Sequence, residues 1–272
     1  MVIRKIPDLN LEQIADSGQC FYWDKTGENR YVITSGCHCM EVEQREQQFH
    51  FSCGEAEFTQ FWSGYFDLNT DYGKLKRSVD PNDEYLQRAV EFGAGIRILR
   101  QDLWEVMVSF LISQNNNIAR IRNSVRQLGE KYGECCGVIR GKEYYSFPSP
   151  DRLSGVTEGE YEALGLGYRA KYMKRLVDRF RNGKWEEFAR ALNGKTGEEM
   201  QKELLELYGI GEKVANCICL FGLYQINAFP IDTHIRSILN EHYPAGFPFL
   251  RYEGYLGIIQ QYLFYYDLKF KK

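Results

Sequence analysis

A lysine that follows a glycine turn, and an aspartate nineteen residues further along, are the residues of this sequence best suited to chemistry. Lys213 follows Gly209-Ile210-Gly211, and Asp232 stands in the segment Phe-Pro-Ile-Asp-Thr-His. A deprotonated amine can attack a sugar carbon and form a Schiff base. A nearby carboxylate stabilises the positive charge that builds up on a sugar when its bond to a base breaks. The pair therefore suits cleavage of a base–sugar bond.

Each of the two residues also has a simpler interpretation. Asp232 precedes a helical pattern that includes Ile235 and Ile238, so it could be an ordinary N-cap. A lysine beside a glycine turn is often a plain contact to phosphate. Lys213 must also lose its proton, which burial or a cationic neighbour favours by lowering the pKa from about 10.4. Together, at this spacing, the two residues favour a glycosylase with lyase activity.

Two short helices are predicted to hold the lysine. Apolar residues recur at helical spacing before the glycines and again after them; they are Met200, Leu204, Leu207, Val214, Ile218 and Phe221. Gly209 and Gly211 allow positive φ and a close approach of backbone to a ligand. The unpaired N–H groups that open the second helix suit a phosphate. The pattern predicts a DNA-binding helix-hairpin-helix at about 200–222.

Longer segments carry a resemblance to a known family. LYGIGEKVANCICL with FPIDTH resembles the helix-hairpin-helix DNA glycosylase superfamily, with its glycine/proline-rich loop and catalytic aspartate. Four segments are similar to the 8-oxoguanine DNA glycosylase/AP lyase family and occur in that family's order: SGQCFYW at 17–23, SQNNNIARI at 113–121, LGLGYRAKY at 164–172 and QQYLFYYDL at 260–268. The resemblance spans nearly the whole chain.

The resemblance implies a bifunctional base excision repair enzyme. Its partner would be double-stranded DNA that contains 8-oxoguanine, preferably opposite cytosine, and the damaged nucleotide would be flipped out of the helix. Lys213 would attack C1′ to give a Schiff base, followed by β-elimination at the abasic site. Asp232 would stabilise the sugar cation.

The resemblance also assigns a pocket for the damaged base. The Gly18 carbonyl would accept the N7 proton that 8-oxoguanine has and guanine lacks. Phe264 and Cys217 would sandwich the base, and Gln260 would read its Watson–Crick edge. Cys217 lies four residues after Lys213, so a thiol that loses its proton toward the lysine would create a local dipole. Spacing alone favours a simpler role for Cys217 as a small buried hydrophobe.

Two residues depart from the family pattern near this pocket. Phe221 lines the pocket where the family often has methionine, and Cys20 stands where serine is familiar. Neither residue touches the chemistry expected of Lys213 and Asp232. They leave open how tightly the base is selected.

A second group of residues would face the opposite strand and the DNA backbone. Tyr168 is implied to wedge into the base stack, while Asn115, Arg120 and Arg169 would contact the orphaned cytosine. His234 would contact the phosphate that flanks the lesion, and Gly209 and Gly211 of the hairpin would bind backbone. From the residues alone, the run of three asparagines could instead mark a turn or cap, and His234 could be a surface histidine.

Composition limits the class of protein. A length of 272 residues suggests one to two domains, and 44% apolar with 26% charged residues is typical of a soluble globular protein. No apolar run reaches the roughly 18 residues of a membrane span, and the N-terminus has acids in place of a signal-peptide core. We expect a cytoplasmic monomer with no membrane partner, nucleoid-associated if bacterial.

Charge is distributed unevenly, although the net charge is only −3. Residues 8–71 hold twelve Asp/Glu against three Lys/Arg, a balance of −9. Residues 168–184 hold seven Lys/Arg against one Asp, a balance of +6. Such a basic segment can attract a phosphate backbone in an acidic protein. The alternative for many of these residues is a solvated helix face.

The cysteines argue against a metal cluster. None of the eight follows Cys219, whereas related glycosylases with an iron–sulfur cluster place four cysteines beyond the catalytic aspartate. Cys37-His38-Cys39 with Cys53 is too cramped for tetrahedral zinc, so reduced thiols are expected. No cofactor is expected to be required. The resemblance implies a sodium, potassium or calcium ion at the hairpin, bound by backbone carbonyls of Leu205, Leu207 and Ile210.

The fold predicted from these patterns is α+β. Residues 1–70 alternate apolar and polar in short runs that are typical of antiparallel strands, and from about residue 80 the pattern is helical. We expect a small N-terminal antiparallel β-sheet domain at 1–98. Mostly helical domains at 99–272 would contain the hairpin and a C-terminal helix that returns to the cleft.

Two other classes of protein stay open as alternatives. A non-catalytic helix-hairpin-helix DNA-binding module would explain the hairpin but not Asp232 or the wedge-like Tyr168. A monofunctional alkylated-base glycosylase of the same superfamily would keep the aspartate but generally lacks a lysine at position 213. Lys213 is therefore the feature that discriminates among the three.

Overall fold

The computed structural model describes residues 1–270, as an antiparallel sheet packed beside a helical body. The strands are β1 (Val2–Lys5), β2 (Trp23–Gly27), β3 (Arg30–Ser35), β4 (His38–Arg45), β5 (Gln48–Phe51), β6 (Cys135–Ile139) and β7 (Lys142–Tyr145). The helices are α1 (Leu11–Asp16), α2 (Glu55–Glu57), α3 (Ser63–Tyr65), α4 (Tyr72–Arg77), α5 (Glu84–Phe92), α6 (Leu103–Ser113), α7 (Ile118–Tyr132), α8 (Glu158–Ala163), α9 (Arg169–Phe180), α10 (Lys184–Leu192), α11 (Gly197–Leu205), α12 (Glu212–Phe221), α13 (Thr233–His242) and α14 (Leu256–Phe270). A π-helical turn at Phe58–Trp62 joins α2 to α3, and a 3-10 turn spans Phe249–Tyr252.

Five strands form the N-terminal sheet in the order β1-β5-β4-β3-β2, with every neighbouring pair antiparallel. Alternate side chains of β4 point into the core, so Met40 and Val42 are fully buried while Cys39 and Glu41 face the other side. Ile33 of β3 pairs with Met40 and lies on the same inner face. The alternation predicted for this region is confirmed, and with it the α+β fold class.

A single apolar helix lies at the centre of the helical body. Nine of the eleven residues of α6 are buried, because α7, α9 and α12 all pack around it. The neighbouring helices are amphipathic and turn their apolar faces toward α6, as their helical spacing predicts. This packing fixes the first turns of α7, α9 and α12, where Arg120, Arg169 and Lys213 stand.

The expectation of helix and loop throughout the second half was wrong at one place. Strands β6 and β7 form a hairpin at 135–145, joined by Arg140 and Gly141, which both have positive φ. Such a two-residue turn matches the twist of paired strands. The Arg-Gly pair between short alternating runs is a signal for this hairpin that the sequence already contained.

The C-terminal helix, α14, brings the end of the chain against α1 near its beginning. Helix α14 packs against α5 and α13, and Lys269 near its end donates a 2.8 Å hydrogen bond to Asp16 of α1. The division of domains at 98/99 stays a prediction, and residues 271 and 272 of the predicted helical domain lie outside the described residues. Among the helices that the structure describes, none combines the length and the apolar character that crossing a membrane requires.

Candidate active site

The two helices of the hairpin are α11 and α12, and their glycines play different parts. Gly209 has φ +87°, and a Cβ at this position would lie 2.7 Å from Cγ of Tyr172. Gly211, the N-cap of α12, has an extended backbone with open space where a side chain would stand. Only Gly209 therefore uses the positive φ that glycine allows, while Gly211 leaves the N-terminus of α12 open to a ligand.

Lys213 lies in the first turn of α12 and is half-buried. Its Nζ stands 5.4 Å from the centre of the Phe110 ring, which in turn stacks on Phe221 at 5.4 Å. The amine thus sits beside an aromatic wall contributed by α6 and α12. The aromatic rings shield one side of the amine from water, so the amine can reach a substrate with less competition from water.

Asp232 caps α13. Its Oδ1 accepts a 2.9 Å hydrogen bond from the backbone N–H of Ile235, as the simpler interpretation predicted. The capping bond orients the carboxylate and occupies one oxygen atom. Asp232 is half-buried and its capping bond uses Oδ1, so the capping role does not conflict with the expected electrostatic role.

Cys217 brings the two charged residues together. Its thiol is fully buried, and burial raises its pKa, an effect that the hydrogen bond and positive charge of Lys213 oppose and the negative charge of Asp232 reinforces. Both charges therefore act on the same sulfur atom. The net direction is a raised pKa, so the effect of burial outweighs that of the lysine, and the thiolate–ammonium dipole suggested for this pair stays a prediction.

The residues expected to hold the damaged base converge beside α14. Gly18 has φ +74°, and a Cβ there would lie 3.2 Å from Cε1 of Phe264. Gln260 is only 3% exposed, and its Nε2 donates to the Pro230 carbonyl at 3.1 Å. The glycine, the phenylalanine and the glutamine thus line one site, in which the polar groups of Gln260 already have partners.

His234 is held by a residue that the sequence did not single out. Its Nδ1 lies 2.7 Å from Oδ2 of Asp267, whose side chain is 2% exposed, and its ring meets Phe264 edge-on at 5.5 Å. When Asp267 accepts the Nδ1 proton, Nε2 is turned toward solvent and can meet a phosphate. An aspartate in the largely apolar α14 was the signal for this partner.

The residues expected to face the opposite strand form an exposed cluster. Asn115 has φ +48°, and its Nδ2 donates to the hydroxyl of Tyr168 at 3.4 Å. Tyr168 is 52% exposed at the start of α9, and Arg120 is exposed in the first turn of α7. The structure therefore brings the wedge candidate and two of the three cytosine-contact candidates to one surface.

Arg169, the third cytosine-contact candidate, is directed inward and only 8% exposed. Its guanidinium donates to the carbonyls of Gln114 at 2.7 Å, Leu166 at 3.2 Å and Asn115 at 2.9 Å. These bonds hold the loop that carries Asn115. In this structure Arg169 supports the exposed cluster. To contact a base, its guanidinium would have to break some of its hydrogen bonds to these carbonyls.

Gln114 links the exposed cluster to the hairpin and was also missed. Its Nε2 donates to the Gly209 carbonyl at 2.9 Å, while its own carbonyl accepts from Tyr168 at 3.3 Å and from Arg169. One residue thus joins α6, α9 and the hairpin turn. A glutamine at the end of an apolar helix, directly before three asparagines, is the sequence signal that could have found it.

Possible metal ligands are sparse among residues 1–270. No three His, Cys, Asp or Glu side chains of the described chain group in a way that could hold an ion. At the hairpin, the carbonyl of Leu207 accepts a 3.1 Å bond from the N–H of Ile210, which leaves one lone pair on that oxygen. The three carbonyls named for a cation lie in the turn between α11 and α12 or at its edge.

Two family models together match residues 1–246 of the chain. The model for the 8-oxoguanine DNA glycosylase N-terminal domain matches residues 1–107. The model for HhH-GPD superfamily base excision DNA repair proteins matches residues 108–246 and so includes the hairpin, Lys213 and Asp232. The junction of the two models falls within α6.

Individual relatives agree with these models. The chain is 34% identical to an N-glycosylase/DNA lyase of Arabidopsis thaliana over 86% of its own length and 66% of the relative's. It is 37% identical to an N-glycosylase/DNA lyase of Saccharomyces cerevisiae over 55% of its own length and 42% of the relative's. The chain therefore spans less than two thirds of either curated relative.

A solved structure extends the likeness to almost the full chain. An 8-oxoguanine glycosylase/lyase of Clostridium acetobutylicum, in complex with double-stranded DNA containing cytosine opposite 8-oxoguanine, superposes with a TM-score of 0.91 at 36% identity. The match covers 99% of this chain and 96% of that one. The chain belongs to the 8-oxoguanine DNA glycosylase family, within the HhH-GPD superfamily of base excision DNA repair proteins.

Proposed function

We propose that this protein excises 8-oxoguanine from double-stranded DNA and then cleaves the strand at the resulting abasic site. The observation that carries the proposal is the position of Lys213 in the first turn of the second hairpin helix, beside the Phe110 ring, in a chain that also places Asp232 at the N-cap of α13. An amine and a carboxylate are the groups that a glycosylase with lyase activity needs. Membership of the family supports the same reaction.

The reaction follows from these two groups. Asp232 stabilises the positive charge on the sugar while the base–sugar bond breaks and its electron pair leaves with the base, which takes up a proton. The deprotonated amine of Lys213 bonds to C1′, and opening of the sugar ring gives a Schiff base. Loss of a C2′ proton then expels the 3′ phosphate, and hydrolysis of the imine frees the lysine.

The lesion pocket supplies selectivity for the damaged base. The Gly18 carbonyl would accept the extra N7 proton, Phe264 would stack on the ring and Gln260 would read its pairing edge. On the opposite side, Tyr168 would fill the gap and Arg120 would bond the orphaned cytosine. The exposure of Tyr168 and Arg120 supports the second assignment, since neither needs to move to meet DNA.

Borohydride trapping tests the nucleophile directly. Lys213→Gln should bind DNA that contains the lesion but give no trapped covalent adduct, because the amide cannot form an imine. Lys202→Gln is the matched control, since Lys202 is an exposed lysine of α11 in the same hairpin and should leave trapping unchanged. Normal trapping by Lys213→Gln would mean that another amine reacts and that the proposal is wrong.

We also propose that a sodium, potassium or calcium ion bridges the hairpin to a DNA phosphate. Backbone carbonyls of Leu205, Leu207 and Ile210 are neutral oxygen donors of the kind these ions prefer. The ion would aid DNA binding and take no part in bond cleavage. Chelation should therefore weaken DNA binding at most; activity that is lost on chelation and returns only with a transition metal would contradict this role.

The place and state in which the protein works are further parts of the proposal. We propose a monomer that acts in the cytoplasm, at the nucleoid if the source is bacterial. The exposed basic residues Lys171, Arg175 and Arg179 on α9 supply a positive surface for DNA on a protein of net charge −3. Size-exclusion chromatography with light scattering, with and without a DNA duplex, measures the oligomeric state.

A further inference from the structure

The β6–β7 hairpin docks on the outer face of the N-terminal sheet. Asp24 of β2 accepts hydrogen bonds from Lys142 at 2.7 Å and from the hydroxyl of Tyr144 at 2.9 Å. Glu41 of β4 makes a bidentate ion pair with Arg140, in which Nε donates to Oε1 at 2.7 Å and Nη2 donates to Oε2 at 3.0 Å. These contacts join a hairpin of the helical body to the sheet, across the surface of β4 that faces away from the core.

Two thiols meet at the same contact. Cys39 lies on the outer face of β4 next to Glu41, and Cys136 lies at a shift in register between β6 and β7. Such a bulge redirects a side chain out of the regular pleat. A Cβ at the neighbouring Gly137 would lie 3.3 Å from both Cβ and Sγ of Cys39, so the absence of a side chain there lets the strands approach. Cys136 donates a 3.3 Å hydrogen bond to the Tyr144 carbonyl, and Cys39 and Cys136 are near enough for each to shift the pKa of the other.

The pair is chemically asymmetric. The hydrogen bond from Cys39 lowers the pKa of Cys136, and the same bond raises the pKa of Cys39. Both side chains are partly exposed, so a small oxidant can reach them. The buried cysteines are less reactive by contrast, because burial raises the pKa of Cys20 and of Cys219 to about 12. A thiol with a lowered pKa beside a thiol with a raised pKa is the arrangement that an attacking and a resolving cysteine need.

We propose that Cys39 and Cys136 form a reversible disulfide when the protein meets a peroxide, and that this bond locks the hairpin to the sheet. The thiolate of Cys136 attacks one oxygen of hydrogen peroxide, the O–O bond breaks, and a sulfenic acid and hydroxide form. The hydroxide takes the proton released by Cys39. The thiolate of Cys39 then attacks the sulfur of Cys136, the S–O bond breaks, and the departing hydroxide takes up the proton that Cys136 released when it ionised, which gives a second water. Two thiols and one peroxide give one disulfide and two water molecules.

The cross-link would enclose a large part of the site. The loop from 39 to 136 contains α6, Asn115 and the whole of α7, whose first turn carries Arg120. A long closed loop restricts the unfolded chain, so oxidation should raise Tm by on the order of 5 °C. Adding a thiol reductant should return Tm to its starting value.

Mass spectrometry of the intact protein tests the proposal. Mild hydrogen peroxide should lower the mass of the reduced wild type by about 2 Da per disulfide, and peptide mapping without reductant should join the segment 31–45 to the segment 132–140. Those segments also contain Cys37 and Cys135, which are exposed and could compete. The double variant Cys37→Ser with Cys135→Ser is therefore the matched control, and it should keep both the cross-link and the Tm rise.

Cys39→Ser and Cys136→Ser should each abolish the cross-link and the Tm rise, while circular dichroism shows that both variants remain folded. Three results would overturn the proposal: no cross-link in the wild type, a cross-link that persists in Cys39→Ser or Cys136→Ser, or its loss in the control variant. The last two would assign the bond to Cys37 or Cys135.

Discussion

The lesion side and the opposite-strand side of the site differ in how their polar groups are placed. On the lesion side, Gln260 is bonded to the Pro230 carbonyl, His234 to Asp267, and Asp232 to the helix that it caps. On the opposite-strand side, Arg120 is exposed, and the side chain of the exposed Asn115 makes a long bond of 3.4 Å to the Tyr168 hydroxyl.

The difference indicates an order of events. The exposed Arg120 and Tyr168 would meet DNA as they stand, whereas a flipped base would reach the buried Gln260 only after neighbouring side chains make room. Entry of the base into such a buried site is a conformational step that can limit the overall rate. We therefore expect changes on the lesion side to affect the rate of base release, and changes on the opposite side to affect the choice of partner base.

The largest expected effect comes from separating the two roles of Asp232. Asparagine is as good an N-cap as aspartate but carries no charge. Asp232→Asn should therefore keep Tm within a degree or two of the wild type, while the single-turnover rate of base excision falls by about 100-fold or more. Asp232→Ala should lose both stability and rate. If Asp232→Asn retained nearly full rate, capping would be the only role of this residue.

Gly18 offers a second test of the lesion side. A side chain at Gly18 would stand 3.2 Å from Phe264 in a backbone conformation with φ +74°. Gly18→Ala should slow excision of 8-oxoguanine by about tenfold to 100-fold, since the pocket would be narrowed and its carbonyl displaced. Cleavage of DNA with a preformed abasic site needs no base in the pocket and should change little. An equal loss of both activities would mean that Gly18 is needed for the fold and not for the base.

The opposite-strand side should give smaller and more selective effects. Each mismatched contact to a base costs roughly 1–3 kcal/mol, so the wild type should excise the lesion faster opposite cytosine than opposite adenine. Arg120→Ala should shrink that preference at unchanged Tm, because the side chain is exposed. Arg169→Ala should shrink it as well, but together with a fall in Tm, because its guanidinium holds the carbonyls of Gln114 and Asn115.

Excision assays with all four opposing bases, together with thermal unfolding of both variants, would measure these effects. A preference that is unchanged in Arg120→Ala would assign that residue to phosphate binding. A normal Tm in Arg169→Ala would show that its buried hydrogen bonds contribute little to stability.

The sequence revealed the parts of the site that depend on local pattern. The hairpin, Lys213 and Asp232 lie within 35 residues of one another, and spacing and residue type were enough to find them. The inward direction of Arg169 could not be read in this way, because it depends on carbonyls about 55 residues away in the chain. The same holds for Asp267, which meets His234 only because α14 returns to α13.

The close approach of Gly209 to Tyr172 has a consequence for the geometry of bound DNA. Tyr172 lies one helical turn after Tyr168, which stands at the start of α9. The hairpin turn and Tyr168 are therefore both positioned by the same helix. The spacing between the turn proposed to bind phosphate and the tyrosine proposed as the wedge is therefore fixed by α9. A duplex whose own spacing differs has to bend to fit, and its stiffness at the damaged step then contributes to how readily the protein stops there.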